Sequence, residues 1–148
     1  MTTLLKRHKA EILKLNYKIV SPEARLDAMT VGAELMEAGL DGRTDGFWVW
    51  DLNNDVEFYS PKFRKVLEYE GEHDFPSVPR SWQKAIDPED MEKAIKAFIA
   101  HQDNPKNDYY LPVWYTTKTG KRINLLCAGT IVNREKGYEI MLGTHELL

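Results

Sequence analysis

The sequence predicts an α+β fold, and three observations carry that prediction: an aromatic strand hairpin at residues 46–60, helical periodicity on either side of it, and a strand-rich stretch from Asp108 onward. Gly46-Phe47-Trp48-Val49-Trp50-Asp51-Leu52 and Val56-Glu57-Phe58-Tyr59-Ser60 flank Asn53-Asn54-Asp55. Asn and Asp tolerate the backbone conformations of tight turns, so the two segments read as an antiparallel pair. A length of 148 residues, 43% hydrophobic and 29% charged, is an ordinary globular balance with room for one domain and a sizeable core.

The first region reads as helical. Leu5, Ile12, Ile19 and Leu26 recur every seven residues, with Leu15 between them, among Lys6, Arg7, Lys9, Glu11, Lys14 and Lys18. This is an apolar stripe on a charged helix. Ser21-Pro22-Glu23 stops that helix and starts a second, with Ser21 as cap and Pro22 in the first turn; it carries Leu26, Met29, Ala33, Met36 and Leu40 and ends near Gly39 or Gly42. Ser60-Pro61 ends the second strand of the hairpin and caps a short helix. Asp87-Pro88-Glu89-Asp90 starts a longer helix to about Gln102, whose predicted buried face is Met91, Ala94, Ile95, Phe98 and Ile99. Three strands complete the chain, Asp108 to Thr117, Arg122 to Asn133 and Tyr138 to Thr144, joined by turns at Lys118-Thr119-Gly120-Lys121 and Glu135-Lys136-Gly137. The boundaries that follow are a helical extension over residues 1–40 and a domain over 41–148.

The late strands are apolar on both parities. Leu111, Val113, Tyr115, Leu125, Cys127 and Ile131 lie on one face, and Tyr110, Pro112, Trp114, Leu126 and Ala128 on the other. Such a sheet needs cover twice. The middle helices supply one cover, and the N-terminal helices, from the same chain or a second subunit, supply the other. A homodimer with Leu5, Ile12, Leu15, Ile19, Leu26 and Trp114 at its interface is therefore expected, because an exposed patch of that size is one that monomers avoid.

Charge and motifs narrow the function classes. The net charge of −3 gives no argument for nucleic acid, although residues 1–20 hold five Lys and Arg against one Glu, a local +4 that leaves −7 on the remainder. That basic helix reads as the solvated face of a dimer-forming helix rather than a polyanion or membrane contact, since Tyr17 is its one aromatic residue. No apolar run is long enough to span a membrane, and the N-terminus lacks the apolar core of a signal peptide. One cysteine, Cys127, rules out an internal disulfide and points to a reducing cytoplasm. No phosphate loop, dinucleotide turn, nucleophile elbow or paired-histidine zinc motif is present, and His8, His73, His101 and His145 have no Cys-x-x-Cys to join. Cys127, between Leu126 and Ala128, reads as a plain buried thiol. A catalytic role is not expected.

The order of hairpin, short helices, long helix and three-strand meander resembles a PAS domain of bacterial signalling proteins. The motifs that carry the resemblance are Gly46 to Leu52, Tyr59-Ser60-Pro61-Lys62-Phe63-Arg64-Lys65-Val66-Leu67-Glu68-Tyr69, Trp82-Gln83-Lys84-Ala85-Ile86-Asp87-Pro88-Glu89-Asp90 and Gly143-Thr144-His145-Glu146-Leu147. The resemblance covers about residues 40–147. It implies a five-stranded antiparallel sheet of order 2-1-5-4-3 with helices on one face, enclosing a ligand-sized interior. It also implies sensing of small molecules, haem, flavin or redox state, relayed through flanking helices to a kinase, a cyclase or a DNA-binding domain. The chain departs from the family pattern at Asp87, where relatives carry His, and at Glu68, where many carry Gly. A third departure is the pair Trp114 and Asn124, where relatives often carry Arg and Trp. The chain also ends at Leu148, where relatives continue into a helix that leads to an output domain, so a role in trans and a fragment of a longer protein both stay open.

The expected function is a cytoplasmic sensory module whose ligand is lined by Phe63, Leu67, Phe98, Val113, Tyr115, Leu125, Cys127 and Met141. A ligand-free adaptor and a haem or flavin redox sensor stay open as alternatives. His101, at the end of the long helix, has two readings: an iron ligand, as helix histidines are in haem-binding relatives, or a last-turn residue facing water that complements the helix dipole, the second being preferred. Trp48, Trp50, Trp82 and Phe98 read as core in preference to a flavin stack. His145 reads as a strand-end side chain. The flavin-adduct motif of light-sensing relatives, Asn-Cys-Arg-Phe-Leu-Gln, is absent.

Overall fold

Strand β1 (Phe47–Asp51) lies between β2 (Val56–Tyr59) and β5 (Ile140–Leu147), and β4 (Arg122–Val132) and β3 (Tyr109–Thr116) follow, giving an antiparallel sheet of order β2-β1-β5-β4-β3. The computed structural model describes residues 27–132 and 139–148. The stripe of Leu5, Ile12, Leu15, Ile19 and Leu26, the Ser21-Pro22 start and the turn at residues 135–137 lie outside the described residues.

Strand alternation sends Trp48, Trp50, Glu57, Tyr59, Cys127 and Met141 to an inner face, and Phe47, Val49, Phe58, Val132, Ile140 and Leu142 to an outer one. Both faces are covered from within the chain. Helix α1 (Ala28–Glu37) lies on the outer face through Ala28, Val31 and Leu35, and the short α2 (Leu40–Arg43) adds Leu40. Helices α3 (Pro61–Val66), α4 (Pro79–Ala85) and α5 (Pro88–Asp103) lie on the inner side. The parity read from the sequence holds, with Val113 opposite Leu125, Leu111 opposite Cys127 and Trp114 opposite Asn124. Trp114 keeps 41% of its surface exposed on the outer face, with the Arg122 guanidinium 4.9 Å from its ring centre.

Two helices differ from the sequence reading. Within the helix expected from Ser21 onward, Asp27 is extended and accepts the Thr30 N–H at 2.8 Å as N-cap, so α1 begins at Ala28. Its buried stripe is Ala28, Val31, Gly32 and Leu35, with Met36 partly buried against the same core, whereas Met29 and Ala33 are exposed. Gly32 sets that stripe, because a Cβ there would lie 2.4 Å from the Phe58 ring. In α5 the buried residues are Asp90, Ala94 and His101, while Ile95 and Ile99, expected inside, are 42% and 49% exposed. Polar anchors at both ends rotate this helix. The Asp90 carboxylate accepts the Trp114 N–H at 2.7 Å, and His101 is tied to β4.

The helix starts fasten to strands. Ser60 Oγ accepts the Phe63 N–H as N-cap and also the Phe47 N–H at 2.9 Å, joining α3 to β1. Asp87 makes no side-chain cap; its N–H donates to the Trp114 carbonyl, and its carboxylate pairs with Arg122. The motif that was expected to cap α5 therefore binds it to β3. Glu68, at the position where the resemblance implies Gly, has φ of +69°. Its carboxylate hydrogen-bonds the Thr119 hydroxyl and lies 3.7 Å from Lys121, which holds the unfavourable backbone in place.

Two substitutions test this packing. A Cβ at Gly143 would sit 2.3 Å from the Trp48 indole and 2.6 Å from the Ala128 carbonyl, so Gly143→Ala should lower stability in urea by about 2 kcal/mol or more. Gly42→Ala, which meets nothing within 4 Å, should be neutral or stabilising. At Glu68, Ala should cost more thermal stability than Gly, since both lose the carboxylate contacts and only Gly relaxes φ; equal losses would show that the backbone is unstrained.

Candidate ligand-binding site

Between the inner face of the sheet and helices α3 to α5 lies a cavity of about 60 Å³. A single water needs roughly 10–15 Å³ by the same kind of measure, so the space admits a few waters or one compact molecule. Rings make most of its wall, because Trp48 and Trp50 from β1, Tyr59 from β2 and Tyr109 and Tyr115 from β3 are large, stiff side chains that do not interlock fully. Trp48 fits only because Gly129 and Gly143, opposite each other on β4 and β5, leave its indole room. Trp50 leans on Phe98 of α5 with ring centres 5.1 Å apart. Gln83 of α4 and Ile95 of α5, both exposed, also line the space, so it opens between those helices.

The polar groups in this wall are few and strongly buried. Glu57 is 3% exposed, and its Oε1 has no hydrogen-bond partner. Burial pushes its carboxyl well above the usual range; a hydrogen bond from Trp82 opposes that shift and the charge of Asp55 adds to it. Trp50, directly across the hairpin from Glu57, carries an indole Nε1–H that is buried and also without a partner. Burial likewise raises Tyr109 and Tyr115, and it pushes the Cys127 thiol up to about 12, which keeps the sulfur protonated and unreactive. Neither Lys nor Arg lines the cavity.

Of the eight residues expected to line a ligand, Phe63, Phe98, Val113, Tyr115, Cys127 and Met141 line the cavity. Leu67 and Leu125 are fully buried in the adjoining core and do not reach the cavity. His145, expected to be a strand-end side chain, is 1% exposed, lines the cavity and stacks on Phe63 with centres 4.6 Å apart. His101 neither binds in the cavity nor faces water. It is buried, its Nε2 accepts the Ile131 N–H at 3.1 Å, and its Nδ1 donates to the Asn107 carbonyl at 2.8 Å. Both ring nitrogens are committed to backbone, so neither is available to an iron. Glu57 was missed because a single acid in a strand reads as solvent-facing. The signal that finds it is parity, since the Asn53-Asn54 turn places it beside Trp50 on the face of Trp48 and Tyr59.

The PAS fold model matches residues 56–145, more than half of the chain. The chain belongs to the PAS family. Members of this family are, as a rule, sensory modules. Solved structures similar to this PAS domain include a sensory box histidine kinase/response regulator from Burkholderia thailandensis, at 22% identity and TM-score 0.61, covering 76% of this chain and 83% of that one. The PAS domain of the fruit-fly ELK potassium channel matches at 15% identity and TM-score 0.59, covering 78% and 96%. The N-terminal domain of a diguanylate cyclase with PAS/PAC sensor from Marinobacter aquaeolei matches at 16% and TM-score 0.55, covering 68% and 91%. Among curated proteins none matches the sequence. At these identities the likeness establishes the fold alone.

Haem and flavin, the cofactors that the resemblance implies, do not fit this cavity. Its volume is far below that of either group, neither Lys nor Arg is in the wall for a propionate or phosphate, and His101 is engaged elsewhere. No group of His, Cys, Asp and Glu among the described residues is arranged to hold a metal ion.

The buried acid has a measurable consequence. Because its folded value is raised, Glu57 contributes fully below the unfolded glutamate value of about 4.3, and that contribution is lost as pH rises toward the folded value. Tyr59, Tyr109, Tyr115, Cys127 and His145 share its cavity and Asp55 its hairpin, so none of the named neighbours is a fixed cation. Glu57→Gln should therefore gain stability over the parent protein at pH 8, on the order of 1–3 kcal/mol, and much less at pH 5. Urea unfolding at the two pH values reads this directly, and an equal difference at both would mean that Glu57 is solvated.

Proposed function

We propose that this PAS domain is a non-catalytic sensory module that binds a compact ligand in the cavity between sheet and helices, dimerises, and relays occupancy to a signalling effector. The observation that carries this reading is the aromatic cavity with two unpartnered buried polar atoms on residues of its wall, Trp50 Nε1 and Glu57 Oε1. Buried polar groups are nearly always hydrogen-bonded, so this pair favours a ligand with polar atoms of its own.

Glu57 and Phe58 are consecutive in β2, with one facing the cavity and the other packed under α1, which places cavity and helix on opposite sides of one strand. This supports a relay in which a ligand that moves Trp50 and Glu57 shifts α1 and the residues before it, over 1–40. Exposed Trp114 on the outer face supports a homodimer surface there. The kinase and cyclase named for similar structures make such effectors the natural outputs, and a cytoplasmic setting suits them. No helix among the described residues is long and apolar enough to cross a membrane.

Native mass spectrometry of freshly purified protein, with its absorbance spectrum, tests the reading. The expected result is a dimer carrying a small additional mass and no visible absorption. Ala94 lines the cavity, so Ala94→Leu should fill it and abolish the additional mass while the domain stays folded. A dimer at bare polypeptide mass favours a ligand-free adaptor, a coloured protein favours a redox sensor, and a monomer overturns the dimer.

A further inference from the structure

We propose that the ligand is a small organic amine, bound as its ammonium ion against Glu57 and walled by aromatic rings, with an adjoining acceptor atom for the Trp50 indole N–H. This rests on the reading of the cavity as a ligand site and names the chemistry it selects.

Glu57 is the acid of the wall, it is 97% removed from solvent by the complement of its 3% exposure, and its Oε1 is unpartnered. An ammonium donates to that oxygen and also supplies the positive charge that burial among neutral side chains withholds. The surrounding rings suit the same charge. Trp48, Trp50, Tyr59, Tyr109 and Tyr115 present electron-rich surfaces, and cages of such rings attract ammonium groups. An anion meets the opposite conditions: neither Lys nor Arg is in the wall, and Glu57 would have to stay protonated beside it. A wholly apolar ligand would leave Glu57 Oε1 and Trp50 Nε1–H as they are, buried and unsatisfied.

Trp50 adds a second requirement. It stands opposite Glu57 in the hairpin register, so the two open atoms belong to neighbouring side chains on one face. A ligand that satisfies both carries a donor and an acceptor a short distance apart, as an amino alcohol does. The volume of about 60 Å³ restricts it to a few heavy atoms, and the opening between Gln83 and Ile95 gives it a route.

The four tryptophans give four indole N–H signals in a proton–nitrogen correlation spectrum, and Trp50→Phe assigns the one that matters. Titration of the full chain with ethanolamine should shift the Trp50 signal saturably. Ethylamine, which lacks the acceptor, should bind several-fold more weakly; propan-1-ol and glycolate should produce no saturable shift over the same range. Glu57→Gln should weaken ethanolamine at least tenfold, and Ala94→Leu should abolish the shift. Propan-1-ol or glycolate binding as tightly as ethanolamine would overturn the amine assignment while leaving a ligand site. Silence to every probe, with a co-purified non-amine mass, would do the same. Silence to every probe at bare polypeptide mass would overturn the assignment and the ligand site together.

Discussion

A sheet that is apolar on both faces is the constraint on which this structure depends. Strand β1 shows it most sharply, because Phe47 and Val49 point one way and Trp48 and Trp50 the other, with β2 and β5 hydrogen-bonded on either side. Neither face can be left to water without exposing a patch that drives association. The chain supplies α1 for one face and α3 to α5 for the other, and each cover has its own device for close approach: Gly32 beneath Phe58 outside, and the Gly129 and Gly143 pair beneath Trp48 inside. Rings fill the inner side. Stiff planar side chains meeting at 5–6 Å between centres leave space that aliphatic side chains would close. The cavity is thus a consequence of the aromatic inner face.

Electrostatics then separates this cavity from an ordinary packing defect. A void lined only by hydrocarbon stays dry and carries no chemical preference. Here Glu57 occupies an inward position of β2 at a clear cost, since burial opposes its ionisation and only the Trp82 donor eases the effect. Gln or Leu at the same position would pack without that cost. An acid held in the wall at the expense of stability is the pattern of a binding group, in which local rules are broken where function resides.

Much of the fold was legible because it follows from period and punctuation. The hairpin, the Ser60-Pro61 start of α3, the Pro88 start of α5 and the two-faced late strands are all set by local chemistry and alternation. What was not legible depends on contacts distant in sequence. Periodicity gave α5 an apolar stripe through Ile95 and Ile99, but Asp90 bonding to Trp114 and His101 bonding to Ile131 rotate the helix toward a partly polar stripe. His101 looked like an exposed cap or a metal ligand because sequence shows a residue's offer of hydrogen bonds without their takers. Asp27 was passed over as a cap because Ser21-Pro22 is a stronger local signal. Leu67 and Leu125 share the expected core but lie behind the cavity wall rather than on it, since spacing gives a face and not the depth behind it.

The motifs that carry the family pattern specify the sheet and the helix starts, and they also supply part of the cavity wall, through Trp48, Trp50, Tyr59 and Trp82. Ser60, Asp87 and Asp90 do backbone work: each joins a helix start to a strand through main-chain or capping contacts that any ligand-bearing variant of the fold also needs. Trp50 and Tyr109 pack against Phe98 and Trp48, whereas the Glu57 side chain lines the cavity with one oxygen unpartnered. A fold assembled in this way keeps its architecture at identities where its ligand is no longer shared. The position of Glu57 joins the two faces of the sheet. Its neighbour Phe58 packs beneath α1 at Gly32, so the cavity wall and the seat of the outer helix are consecutive residues of one strand.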